Sequence, residues 1–217
     1  MALTPSQTAA HFWALEPDPA LAARVLAYKA RVRALAGPQT FLDDPPHLTL
    51  YLAVYAAEAP LEAATARLAA ELAAVTAGLA GWHAFASDPL TGAHSLVCGL
   101  APEAIPVLRV CQTRVVAARA PLRDPGATRA RYATRWPHLD AVQQHNVETT
   151  GFPYTGPTWQ PHVTIASIAP DAWPRAWEAL RDDPPGGAVR FATLQHFRLA
   201  GATPVLLHSH SLPDPPA

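Results

Sequence analysis

The chain has 217 residues, of which 50% are hydrophobic and 15% charged, enough to bury a core in one domain or in two small lobes. A formal net charge of −1 argues against a surface built to coat nucleic acid or an anionic membrane. The longest apolar stretch, 60–81, is broken by Glu62, Arg67 and Glu71, which argues against a membrane span.

Residues 11–15, His-Phe-Trp-Ala-Leu, read as a buried strand. Asp18 followed by Pro19 reads as a helix N-cap with proline at the first helical position. Leu21, Val25, Leu26, Val32 and Leu35 continue at helical spacing until Gly37-Pro38. A loop through Phe41, Asp43 and Asp44 leads into Pro46-His47-Leu48-Thr49-Leu50-Tyr51-Leu52, whose alternation predicts a strand entered through a proline. An alanine-rich helix is predicted over 61–79 and closed by Gly81, then strands over 82–86 and 95–100. The two cysteines, Cys98 and Cys111, show neither a disulfide framework nor metal-ligand spacing, as expected of reduced thiols. The N-terminus lacks the basic and apolar regions of a secretion signal, so a cytoplasmic protein is expected.

From Ser95 the chain begins to repeat itself. A strand over 95–100 and a helical run through Val107, Leu108, Val110, Val115 and Val116 parallel the opening strand and helix. The stretch 121–158 shows no sustained periodicity and reads as a long irregular loop. Arginines 109, 114, 119, 123, 129, 131 and 135 make its approach locally basic; Arg129 and Arg131 are candidate phosphate contacts, although a charge run is usually a solvated face. The chain then reaches Pro161-His162-Val163-Thr164-Ile165-Ala166, the second copy of the His-x-Thr strand. A helix over 173–181 and strands over 188–199 and 205–212 close it.

Side chains alternate along a strand, so His47 and Thr49 share one face, as do His162 and Thr164. On the same reasoning Tyr51 follows them onto that face, where it could line the cleft or stack on a base, or equally be core packing; Phe152, Tyr154 and Trp159, just before the second motif, invite the same stacking role. The expected fold is α+β: two pseudo-symmetric lobes, spanning roughly 10–90 and 95–212, each an antiparallel-rich sheet with helices on its outer face around a central cleft. The lobes would form a single bilobal domain over 1–217, in which strands could be exchanged between them.

Paired His-x-Thr strands in duplicated units resemble the two-histidine phosphoesterase superfamily, and within it the 2′-5′ RNA ligase-like and cyclic phosphodiesterase branch. The similarity covers nearly the whole chain. It departs at Ser167, where many relatives carry an arginine shortly after the second motif. The resemblance implies a phosphoesterase that opens a 2′,3′-cyclic phosphate, or acts on a 2′-5′ diester, of an RNA end or small nucleotide. The chemistry agrees: in-line displacement at phosphorus needs a base and an acid, and a histidine, with an ordinary pKa of about 6.5, suits either role. His47 and His162 would divide those roles, while the hydroxyls of Thr49 and Thr164 donate to the phosphate oxygens. No metal or cofactor is required, and the expected protein is a monomer with no DNA or membrane partner. Two other readings stand beside this one. His208 and His210 share a strand face and could belong to a metallohydrolase, although a zinc site usually needs three protein ligands. A non-catalytic nucleotide- or RNA-binding protein on the same scaffold would not need two acid–base residues.

Overall fold

A computed structural model describes residues 8–215. The first unit runs β1 (Thr8–Pro17), α1 (Pro19–Ala36), β2 (Leu48–Ala56), α2 (Leu61–Glu71) and β3 (Val75–Phe85). The second runs β4 (His94–Leu100), α3 (Ile105–Arg119), the short helices α4 (Pro125–Arg131) and α5 (Ala141–Thr149), β5 (His162–Ile168), α6 (Trp173–Leu180) and β6 (Ala188–Ala200), with β7 (Thr203–Ser211) appended. Local chemistry explains the ends of α1. Asp18 Oδ1 accepts the Leu21 N–H at 2.9 Å, Pro19 opens the helix, and Gly37 closes it at φ 70°, a backbone conformation cheap only without a Cβ.

The strands pair antiparallel in the order β2-β1-β6-β3-β4-β5, and β7 lies against β6. The order is symmetric about its middle, with β2, β1 and β6 on one side matching β5, β4 and β3 on the other. The closing strand of each unit thus lies in the other unit's half, β3 beside β4 and β6 beside β1. Helices follow the same rule. α1 packs on α6 and on β5, and α3 packs on α2 and on β2, so each unit's long helix covers the other unit's motif strand. The two edge strands, β2 and β5, come into contact, which brings the two His-x-Thr motifs to one place.

One face of the sheet is sealed under the helices by Trp13, Leu15, Leu48, Leu50, Leu96, Val163, Ile165 and Phe191, each essentially inaccessible. On the other face Phe12, Ala14 and Phe197 form a smaller cluster.

Two expectations are corrected. The predicted helix over 61–79 ends at Glu71, and Val75–Phe85 is strand. Alanine favours helix, but Val75 to Gly78 pair with Phe191 to Ala188, and tertiary pairing outweighs a weak local preference. The stretch 121–158 is not an irregular loop, since it holds α4 and α5. Asp124 caps the first; Asp140 and Gln143 form a reciprocal capping box on the second. Their turns are too short for a helical period to register in the sequence.

Candidate active site

Both motif strands break register at the same place. Trp13 pairs with Tyr51 and Ala14 with Thr49, leaving Leu50 unpaired; Leu96 pairs with Ala166 and Val97 with Thr164, leaving Ile165 unpaired. A bulge lets two consecutive residues face one side. Leu50 and Tyr51 therefore both enter the helix-covered core, as do Ile165 and Ala166, and alternation resumes with Leu52 on the opposite face. This corrects the placing of Tyr51. It is fully buried, and its hydroxyl donates to the Thr150 carbonyl, tying the end of α5 to β2. Strict period-two counting does not foresee a bulge.

His47, Thr49, His162 and Thr164 line one cleft of about 770 Å³. The two imidazoles are held alike: His47 Nδ1 lies 2.7 Å from the Pro45 carbonyl and His162 Nδ1 lies 2.7 Å from the Gln160 carbonyl. A carbonyl can only accept, so each Nδ1 carries the hydrogen and each Nε2 is the nitrogen left for chemistry. Phe12 packs on the His47 ring at 5.2 Å between centroids, and Phe85 on the His162 ring at 5.0 Å. Enclosure by these walls lowers the His47 pKa to about 4 and lowers that of His162 as well, because burial disfavours the charged form. Neutral imidazoles suit a base directly; an acid requires that a bound anion restore the proton.

Aromatic and charged side chains complete the walls: Phe41, Phe152 and Tyr154, with Lys29, Asp44, Asp88, Arg131 and Arg135. Burial raises the Tyr154 hydroxyl above its ordinary range, so it stays a neutral donor. Trp159 reaches the cleft only with an edge, being 4% exposed. Its Nε1 donates to the Thr49 carbonyl at 3.1 Å, which fastens the approach to one motif onto the other. Arg131 lies in the cleft wall, whereas Arg129 does not; its guanidinium stacks 3.2 Å from the centre of the Trp136 ring. Ser167 is buried, and its Oγ is engaged with the Ser95 and Thr91 hydroxyls at 3.1 and 2.6 Å.

His208 and His210 stand elsewhere, on β7, with His208 Nδ1 3.7 Å from Glu62. Among the described residues no group of three or more His, Cys, Asp or Glu side chains is placed to hold a metal ion. No described helix is long and apolar enough to cross a membrane.

Sequence reasoning missed Lys29, Asp44 and Asp88 at the cleft, and had Arg135 only as one member of a basic run. Only Lys29 left a signal: of the sixteen lysine and arginine residues it alone is a lysine.

Comparison with known proteins identifies the family and the fold. The model of one family, described as the 2′-5′ RNA ligase superfamily, matches residues 17–202. The chain belongs to that superfamily. Membership supports a phosphoesterase-type activity. Among solved structures, TT0787 of Thermus thermophilus is 22% identical, with a TM-score of 0.59 over 94% of this chain and 98% of that one. LigT of E. coli in its apo form is 14% identical, with a TM-score of 0.55 over 96% and 100%. LigT complexed with 3′-AMP is 15% identical, with a TM-score of 0.52 over 95% and 99%. At these identities the likeness concerns the superfamily's fold. No curated protein matches the sequence significantly.

Proposed function

We propose that the protein is a metal-independent phosphoesterase acting on a 2′,3′-cyclic phosphate or a 2′-5′ phosphodiester at an RNA end or in a small nucleotide. His47 and His162 serve as its acid–base pair, and Thr49 and Thr164 bind the phosphate. The observation that carries this reading is the matched pair of imidazoles in one cleft, each with Nδ1 committed to a backbone carbonyl and Nε2 available. The Thr49 and Thr164 side chains lie beside them and can donate to non-bridging oxygens as charge builds there. The aromatic walls suit a base or ribose, and the rim arginines suit further phosphates. LigT, of the same fold, has been crystallised with 3′-AMP, which makes a nucleotide the first ligand to try.

The test is a screen of 2′,3′-cyclic nucleotides and 2′-5′ dinucleotides, with the product identified and EDTA present throughout. Opening of a cyclic phosphate to a 2′-phosphate, undiminished by chelation, is expected. Activity abolished by EDTA and restored by zinc or manganese would overturn the metal-independent mechanism.

A further inference from the structure

The two units share one sheet register up to a single position beside the second motif. Trp13 and Ala14 pair with Tyr51 and Thr49 as Leu96 and Val97 pair with Ala166 and Thr164, and Leu15 pairs with Leu48 as Cys98 pairs with Val163. One residue further on the units differ. The second has Gly99, paired with His162, where the first has Glu16. The backbone does not demand a glycine there, since an added Cβ would meet nothing closer than the Gly81 carbonyl oxygen at 3.5 Å, an ordinary contact. Gly99 instead lines a groove of about 310 Å³, together with Trp82, His83, Phe85 and Arg109. His162 and Phe85 border both this groove and the large cleft, so the two spaces adjoin at the imidazole.

We propose that the groove is a second nucleotide subsite, which takes the nucleoside and phosphate next to the reacting residue and makes an oligonucleotide end the preferred substrate over a mononucleotide. The proposal rests on the function proposed above and narrows its substrate class. Rings for a base to stack on are in place. His83 and Phe85 meet edge to face at 4.5 Å between centroids, and Phe85 packs in turn on the His162 ring at 5.0 Å. Trp82 is a fixed wall, its Nε1 donating to the Leu180 carbonyl at 2.9 Å.

Charge and size agree. Of the cations on α3, Arg114 donates to the Glu71 carbonyl at 2.6 Å and Arg119 is fully buried, whereas Arg109 stands exposed at the groove. Arg131 and Arg135 line the cleft, so cations serve both spaces that adjoin at His162. A cyclic mononucleotide carries one phosphate, which the motif residues engage in the proposed mechanism. A cation in the adjoining groove finds its counterpart in the next phosphate of a strand. Aromatic rings beside a cation are the usual means of holding a single strand whatever its bases. The groove lies at the small end of ligand pockets, about 300–1,000 Å³, which suits one nucleoside.

The experiment compares kcat/KM on a 2′,3′-cyclic mononucleotide with that on a dinucleotide ending in the same 2′,3′-cyclic phosphate, for the wild type, Gly99→Glu and Arg109→Ala. The reacting group is identical, so the ratio of the two values reads the added nucleotide alone. The wild type should prefer the dinucleotide by about ten- to a hundredfold, the gain from stacking one base. Gly99→Glu puts the first unit's residue into the groove and should bring the ratio close to one, because its carboxylate takes up space and repels the phosphate. Arg109→Ala should lower the ratio a few-fold, as befits an exposed charge contact, and Arg109→Lys should restore most of it. If Gly99→Glu does not fold, the wild-type ratio and the exposed Arg109 still decide. A wild-type ratio near one, or a preference unmoved in Arg109→Ala, overturns the subsite and leaves the proposed function standing. No turnover of either substrate overturns the proposed function, and the subsite with it.

Discussion

At the scale of single residues, the site depends on how few atoms are left uncommitted. Each motif histidine uses Nδ1 on a carbonyl two residues earlier in the chain, so ring orientation and tautomer are set before any substrate arrives. General acid–base catalysis by a positioned side chain is worth about 10²- to 10⁴-fold. His47→Ala and His162→Ala should each lower kcat by that order, with small changes in KM. The double variant should fall by less than the product of the single losses, since in the proposed mechanism both residues serve one transition state. Thr49→Val and Thr164→Val should be milder, each removing a hydrogen bond to a charged oxygen worth about 1.5–3 kcal/mol. Full activity of either alanine variant on every cyclic phosphate would remove the mechanism. The arginines separate by position. Arg131→Ala should raise KM a few-fold, consistent with an exposed charge contact of about 0.2–1 kcal/mol, and Arg129→Ala should leave KM alone because its guanidinium is spent on Trp136. Equal effects from the two would place the substrate along a different wall. The motif pairs were legible from residue type and spacing. Lys29 and Asp88 were not, because their relevance comes from elements far apart in the chain.

At the scale of elements, helix caps and strand bulges decide what reaches the cleft. α5 is a nine-residue helix held by its Asp140–Gln143 box at one end and by Tyr51 near the other. Such a short helix is marginal alone and takes its stability from caps and packing. Asp140→Ala should therefore cost about 1 kcal/mol of stability and speed amide hydrogen exchange across 141–149 ahead of the sheet. Exchange rates unchanged in that helix would show the box to be superfluous. The bulges at Leu50 and Ile165 act more subtly, turning Tyr51 into the core while Leu52 lines the cleft. Strands, long helices and most of their ends could be read from alternation, proline and glycine. The bulges, the first half of β3 and the two short helices could not, since each is set by the neighbour it pairs or packs with.

At the scale of the whole molecule, burial sets how stability depends on pH. His11 and His196 lie 2.9 Å apart on the helix-covered face, with His196 stacked on Trp13 at 4.5 Å between centroids. Burial, with Arg198 adding to it, lowers the His11 pKa to about 4; burial, with the neighbouring His11 and the Arg119 guanidinium adding to it, lowers that of His196 to about 3. An unfolded histidine takes up its proton near pH 6.5, so between that pH and about 4 the unfolded chain binds protons that the native state refuses. Stability should hold above about pH 6.5 and fall as pH drops through that interval. Urea midpoints from pH 7.5 to 4.5 would show the slope, and His196→Phe should flatten it; a midpoint constant across the range would mean that these imidazoles are not excluded from water. The sequence by itself determined the duplicated units, the α+β class and the two His-x-Thr motifs, because these rest on residue type and short-range period. Only the tertiary structure decided that the units exchange their closing strands, that their edge strands meet, and that a lysine from α1 and an aspartate from the turn before β4 line the same cleft as the paired imidazoles. Those are contacts between distant segments, and a local period carries no record of them.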